Sequence, residues 1–118
     1  VNRMKEQKSG HIVNIGSMSA ELKEKTGVIY VATKTPIRGF STALRKEINP
    51  LGIKVSHVEP GAVMSDMQPD PKEEQKEKIK NMEMLKAKDI AMSVLFCLAQ
   101  PKRCDIVSMQ IRPHLQII

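Results

Sequence analysis

The chain has no tryptophan, one tyrosine and two phenylalanines in 118 residues, and this scarcity limits what its net charge of +6 can serve. A nucleic-acid surface needs clustered cations, often interleaved with aromatic rings on which bases stack. Here the lysines of KEEQKEKIK, residues 72–80, alternate with glutamates, which is the pattern of a solvated helix face. Nucleic acid is therefore not an expected partner. Cysteine is scarce too. Cys97 and Cys104 are too few for a disulfide framework and wrongly spaced for zinc, and neither His11 nor His114 stands at ligand spacing from them. Reduced, partly buried thiols and no metal are the expectation. No apolar run approaches the ~20 residues that cross a bilayer, and VNRMKEQKSG has neither signal-peptide order nor an initiator methionine. This reads as a cytoplasmic protein with no membrane contact and a start that looks cut.

What is present is enough apolar residue, 41%, for one core in one domain. HIVNIG, residues His11 to Gly16, is a β-branched run bounded by Ser-Gly and by a further glycine, and it predicts a strand. From Val28 the period lengthens: Ile29, Ala32, Ile37, Phe40, Leu44 and Ile48 form one apolar stripe of a helix that Asn49-Pro50 ends, with Pro36 bending it. After a Leu51-Gly52 turn, IKVSHVEP predicts a second strand, closed by Pro60-Gly61. Residues 65–88 are polar, with a mobile amphipathic helix expected in KEEQKEKIKNMEML. A helix over 89–100, with Ile90, Val94, Leu95 and Leu98 inward, and a third strand in DIVSMQIRP complete the pattern. Strand, helix, strand implies a right-handed βαβ unit and a parallel sheet buried on both faces.

Tyr30 and Lys34 stand four apart, so on a helix their side chains leave from one face. A free phenol titrates near pH 10; a neighbouring ammonium that lowers this by ~2 to 3 units supplies ~3 to 4 kcal/mol of differential stabilisation. Tyr30 would then give or take a proton near neutrality. Ser17 follows the first strand and Pro60-Gly61 the second, both at the carboxyl edge where open parallel sheets hold their ligands. Each element alone is ordinary: a surface pair, a turn serine, a turn Pro-Gly. Their joint order around one sheet edge points to chemistry. A Ser17, His57, Asp66 hydrolase reading is disfavoured, because GSMSA does not match a GxSxG elbow and His57 falls inside a predicted strand.

GHIVNIGS, then YVATK with its tyrosine thirteen residues after Ser17, then IRGFSTALRKE, GIKVSHVEPGAV and KDIAMSVLF together resemble the carboxyl-terminal half of a classical short-chain dehydrogenase/reductase. The resemblance implies an α/β fold, the later half of a Rossmann-like doubly wound parallel sheet, with three strands and helices on both faces. It implies hydride transfer between NAD or NADP and a carbonyl or alcohol, with Ser17, Tyr30 and Lys34 catalytic. Ile15, Gly16, Tyr30, Lys34, Pro60, Gly61, Ala62, Val63 and Ser65 would contact the cofactor, and Ser17, Met18, Ser19 and Tyr30 the substrate. Asp66 to Leu85 matches the family's substrate lid, and a homodimer or homotetramer is implied. The ending SMQIRPHLQII looks like subgroups that act on small hydroxy acids, aldehydes or related alcohols. The family's glycine-rich phosphate turn is absent: glycines at 10, 16, 27, 39, 52 and 61 form no such cluster. Residues 1–118 thus read as a partial domain, the catalytic half, expected to be inactive alone. The alternative reading is a non-catalytic remnant that serves only in subunit contact.

Overall fold

The computed structural model describes residues 1–16, 39–66 and 68–116. A short helix, α1 (Asn2–Gln7), ends at Lys8 in the left-handed conformation and feeds strand β1 (Gly10–Ile15). Helix α2 covers residues 39–48 and passes into a 3-10 turn at Asn49–Leu51. Gly52 closes that turn at φ 82°, and a side chain there would run into the carbonyl of Lys8. Strand β2 (Ile53–Pro60) follows, then α3 (Lys72–Lys80), α4 (Ala87–Leu98) and β3 (Ser108–Ile111).

The three strands form one sheet in the order β1-β2-β3, all parallel. β1 and β2 are rich in β-branched residues, with strand ends where the Ser-Gly and Pro-Gly breaks predict them. β2 is the central strand and is buried from Ile53 to Glu59, apart from the half-buried Lys54. Alternation then divides its residues between two faces. Ile53 and Val55 join Ile48 in the core, with Met4, Ile12 and Leu44 packed around them, so α1 and α2 cover this face. The other face carries Lys54, Ser56 and Val58. There Ser56 lies beside Cys97 of α4, and the Lys54 ammonium donates to the carbonyls of Pro101 and Cys104 just beyond that helix. Helices on both faces of a partial parallel sheet were the sequence expectation.

Two helix faces differ from the periodicity. Phe40, placed inward by the apolar stripe, is 61% exposed, and Ser41 is buried in its stead. In α4 Cys97 is buried and Ile90 and Val94 are half-buried, while Leu95 and Leu98 are exposed. Apolar residues surround most of α4, so the pattern left its phase open. Strand β3 is shorter than DIVSMQIRP predicts, because only four residues find partners along the end of β2 and Asp105 is drawn to Lys54 at 3.4 Å. The Tyr30 end of the predicted long helix lies outside the described residues. No described helix is long and apolar enough to cross a membrane.

Candidate active site

The carboxyl edge of the sheet assembles in the order the sequence suggests. β1 leaves the sheet at Gly16, whose N–H donates to the Val58 carbonyl at 2.7 Å and prolongs the ladder by one rung. β2 leaves at Pro60, and the Gly61 N–H donates to the Ile111 carbonyl of β3, also at 2.7 Å. Ile15, Gly16, Pro60, Gly61, Ala62 and Val63 therefore share one rim, with Ser65 just beyond. Ser17, Met18, Ser19, Tyr30 and Lys34 lie outside the described residues.

Both glycines owe their lack of a side chain to internal packing. A Cβ on Gly16 would lie 2.7 Å from Cε1 and Nε2 of His57. One on Gly61 would strike Oε1 of Gln116 and lie 3.2 Å from Pro113. The loop after β2 is further stitched down. Ala62 N–H donates to Oε1 of Gln116 at 2.9 Å, Leu85 N–H to the Ala62 carbonyl at 2.8 Å, and Met64 N–H to the Leu85 carbonyl at 2.9 Å. This parallel bridge between Val63 and Leu85 uses the flanking peptide groups and leaves the Val63 N–H on the opposite side of the strand. The exposed Ser65 adds a hydroxyl nearby. A backbone donor and a hydroxyl on one loop, half-buried to exposed, fit a carboxamide, so the rim suits a nicotinamide.

Beneath this rim lies a polar network that the sequence did not reveal. On the α2 face of the sheet, Asn14 Nδ2 donates to Ser41 Oγ at 2.7 Å, and Ser41 Oγ lies 3.3 Å from His57 Nδ1. His57 Nε2 lies 2.9 Å from Glu59 Oε1, and Gln110 Nε2 donates to Glu59 Oε2 at 3.3 Å. The side chains of His57 and Glu59 are 6% and 3% exposed. The network ends on the Glu59 carboxylate, which accepts from the His57 ring and from Gln110, while the Ser41 hydroxyl accepts from Asn14. Burial of a carboxylate demands such donors. Its one sequence signal is Glu59, a carboxylate two residues from His57 in the central strand. The arrangement also removes the hydrolase alternative: His57 is spent inside the fold, and Asp66 is exposed at the surface, 3.4 Å from the Lys72 ammonium.

On the opposite face, His11 Nε2 donates to Ser56 Oγ at 2.7 Å, since Ser56 gives its own proton to the Ile106 carbonyl at 2.6 Å. Burial, and then the charge of Lys54, hold the imidazole of His11 below its ordinary pKa of 6.5, against the pull of Asp105. Burial raises the Cys97 thiol, with Ser56 opposing. A shallow hollow of about 400 Å3 between Lys8, Gly52, Lys102 and Asp105 lies at the amino edge of the strands, away from the rim. Among the described residues no three His, Cys, Asp or Glu side chains are grouped to hold a metal ion.

An open parallel α/β sheet whose strand exits form a ligand-ready rim defines the class of a dinucleotide-type binding fold. Comparison with known proteins narrows it. The family pattern described as short chain dehydrogenase matches residues 1–76, and the chain belongs to that family. An uncharacterized oxidoreductase of Staphylococcus aureus strain USA300 is 35% identical over 112 residues, covering 93% of this chain and 45% of the relative. Among solved structures, serine dehydrogenase from Escherichia coli is 27% identical with a TM-score of 0.78, over 98% of this chain and 45% of that one. The closed form of a serine dehydrogenase complexed with NADP+ is 26% identical with a TM-score of 0.83, over 100% and 50%. The chain thus spans about half the length of the relatives it matches.

Proposed function

We propose that this chain is the catalytic half of a nicotinamide-dependent oxidoreductase that interconverts a carbonyl and an alcohol. The observation that carries the reading is the shared rim: Gly16 and the Pro60-Gly61 loop leave neighbouring strands at the same edge, held to one register by the Gly16 to Val58 rung. Ser17 continues directly from that edge in sequence. A reduced nicotinamide bound along the rim would supply the hydride, a reading supported by the similar serine dehydrogenase that is complexed with NADP+.

The chain's own groups serve the substrate oxygen and the cofactor's position. Ser17 donates a hydrogen bond to that oxygen, with Met18 and Ser19 bordering the substrate. Tyr30 gives the proton that converts the oxygen to a hydroxyl, and takes it back in the oxidative direction. Lys34 favours the phenolate left behind and also holds the cofactor's ribose hydroxyls. Ile15, Gly16, Pro60, Gly61, Ala62 and Val63 line the nicotinamide, and the Val63 N–H and Ser65 hydroxyl hold its carboxamide. Water exclusion by the Asp66 to Leu85 segment strengthens each of these contacts.

A small hydroxy acid is the favoured substrate class, in line with the ending SMQIRPHLQII and with the solved relatives that are serine dehydrogenases. The test is a panel of hydroxy acids, aldehydes and alcohols on the intact gene product, followed by nicotinamide absorbance with NAD(H) and NADP(H). Substrate-dependent change supports the reading. Absence of any change, with the protein folded and cofactor bound, contradicts it. The second reading, a non-catalytic contact module, draws support from Phe40, exposed on the helix expected to meet another subunit. A folded, oligomeric product that binds neither cofactor would favour it.

A further inference from the structure

Helix α3 is polar but for Ile79, with a single fully buried side chain, and that side chain is an amide. Gln75 is 1% exposed while its helical neighbours on both sides face solvent. Its Oε1 accepts the Ser65 N–H at 3.0 Å, and its Nε2 donates to the Ser65 carbonyl at 3.2 Å and to the Asp70 carbonyl at 2.9 Å. A primary amide carries two N–H donors and one carbonyl; here both donors and the carbonyl are engaged. Ser65 is therefore gripped by both of its peptide groups, as a neighbouring strand would grip it, but by one side chain from a helix ten residues on.

The location gives the grip a consequence. The strand bridge to Leu85 holds the backbone only as far as Met64. Past that point the chain turns over an exposed stretch toward α3, with a Gln68 amide donating back to the Val63 carbonyl at 3.2 Å. The Lys78 ammonium donates to the Asp70 carboxylate at 2.6 Å, an ion pair whose hydrogen bond raises the lysine's pKa but which touches neither peptide group of Ser65. Gln75 is the side chain that links Ser65 to the helix.

We propose that Gln75 is a positioning residue for the nicotinamide loop: by fixing the backbone of Ser65 it sets the place of the Ser65 hydroxyl and the Val63 amide on the rim. This rests on the nicotinamide reading above. Docking of α3 and completion of the cofactor loop then become one event, since the same carboxamide does both. Loss of the amide frees the loop without touching the groups that transfer hydride or proton, so cofactor affinity falls while turnover at saturation persists.

The test uses the intact gene product and follows backbone amide exchange by NMR alongside NADH and NADPH binding by fluorescence. In the wild type the Ser65 amide should exchange slowly although its residue is exposed; fast exchange would overturn the latch without any variant. Gln75→Met keeps the length and removes every hydrogen bond, while Gln75→Glu keeps the acceptor and loses the donors. Each should speed Ser65 exchange at least tenfold and raise the cofactor Kd about tenfold, with kcat at saturation within about threefold of wild type. Lys78→Met, which breaks the neighbouring ion pair alone, should leave both readings unchanged. Faster exchange with unaltered cofactor Kd would overturn the positioning role, as would an equal effect from Lys78→Met. A wild type that binds neither nucleotide yet protects Ser65 would overturn the nicotinamide reading, and the positioning role with it, while leaving the latch in place.

Discussion

Replacing His57 by alanine should be among the costliest single changes in the sheet, although the residue plays no part in the proposed chemistry. The imidazole donates to Glu59 at 2.9 Å within a site where both side chains are almost completely enclosed. A hydrogen bond to a charged group contributes ~1.5 to 3 kcal/mol, and a buried acceptor left short of a donor adds its desolvation. Gln110, at 3.3 Å from the other carboxylate oxygen, offsets part of this, so a net loss of about 3 kcal/mol is expected. With a urea m-value of roughly 2 kcal/mol/M, the unfolding midpoint should drop by about 1.5 M at unchanged slope. A cycle with Glu59→Gln should then show a coupling of at least ~1 kcal/mol. A second partner gives an independent check: Gly16→Ala drives a methyl group to 2.7 Å from the ring, so it should destabilise the wild type and cost far less in the His57→Ala background. A loss below ~1 kcal/mol for His57→Ala, with additive cycles within ~0.5 kcal/mol, would refute the network as a structural element.

Two further outcomes follow from backbone geometry and burial. Gly52→Ala should destabilise by more than the ~1 kcal/mol that a left-handed alanine costs, because its methyl group also meets the Lys8 carbonyl; urea unfolding reads this directly, and a neutral result would contradict the turn geometry. His11 has its folded pKa held below 6.5, so the unfolded chain binds the proton more readily. Its contribution is complete above about pH 6.5 and is lost as the pH falls toward the folded value; thermal unfolding of His11→Gln against wild type between pH 7 and 5 should show a shallower acid slope in the variant.

The sheet was legible because HIVNIG and IKVSHVEP are rich in β-branched residues and end at glycine and proline breaks that the chain obeys. The helices were legible in extent but not in phase. α4 carries apolar side chains nearly all round, so Cys97 rather than Leu95 or Leu98 facing Ser56 was beyond a periodicity argument. Phe40 was placed inward by the apolar stripe, whereas Ser41 takes the inner position because it bridges Asn14 and His57. The polar parts were least legible. Nothing in the pattern singled out Ser41 or Gln75 for burial, and only three-dimensional closure supplies the partners that let them and Glu59 be buried. For the site, motif order located the rim, and Gly16 and the Pro60-Gly61 loop do meet there. The roles of Ser17, Tyr30 and Lys34 rest on the sequence pattern, since they lie outside the described residues.

The central claim, proton transfer by Tyr30, is tested most directly by steady-state turnover of Tyr30→Phe in the intact gene product beside its cofactor affinity. Removing one hydroxyl should reduce kcat by a factor of at least about a hundred, the span assigned to a general acid, with Kd for the nicotinamide within a fewfold of wild type. Turnover equal to wild type in that variant would contradict the account.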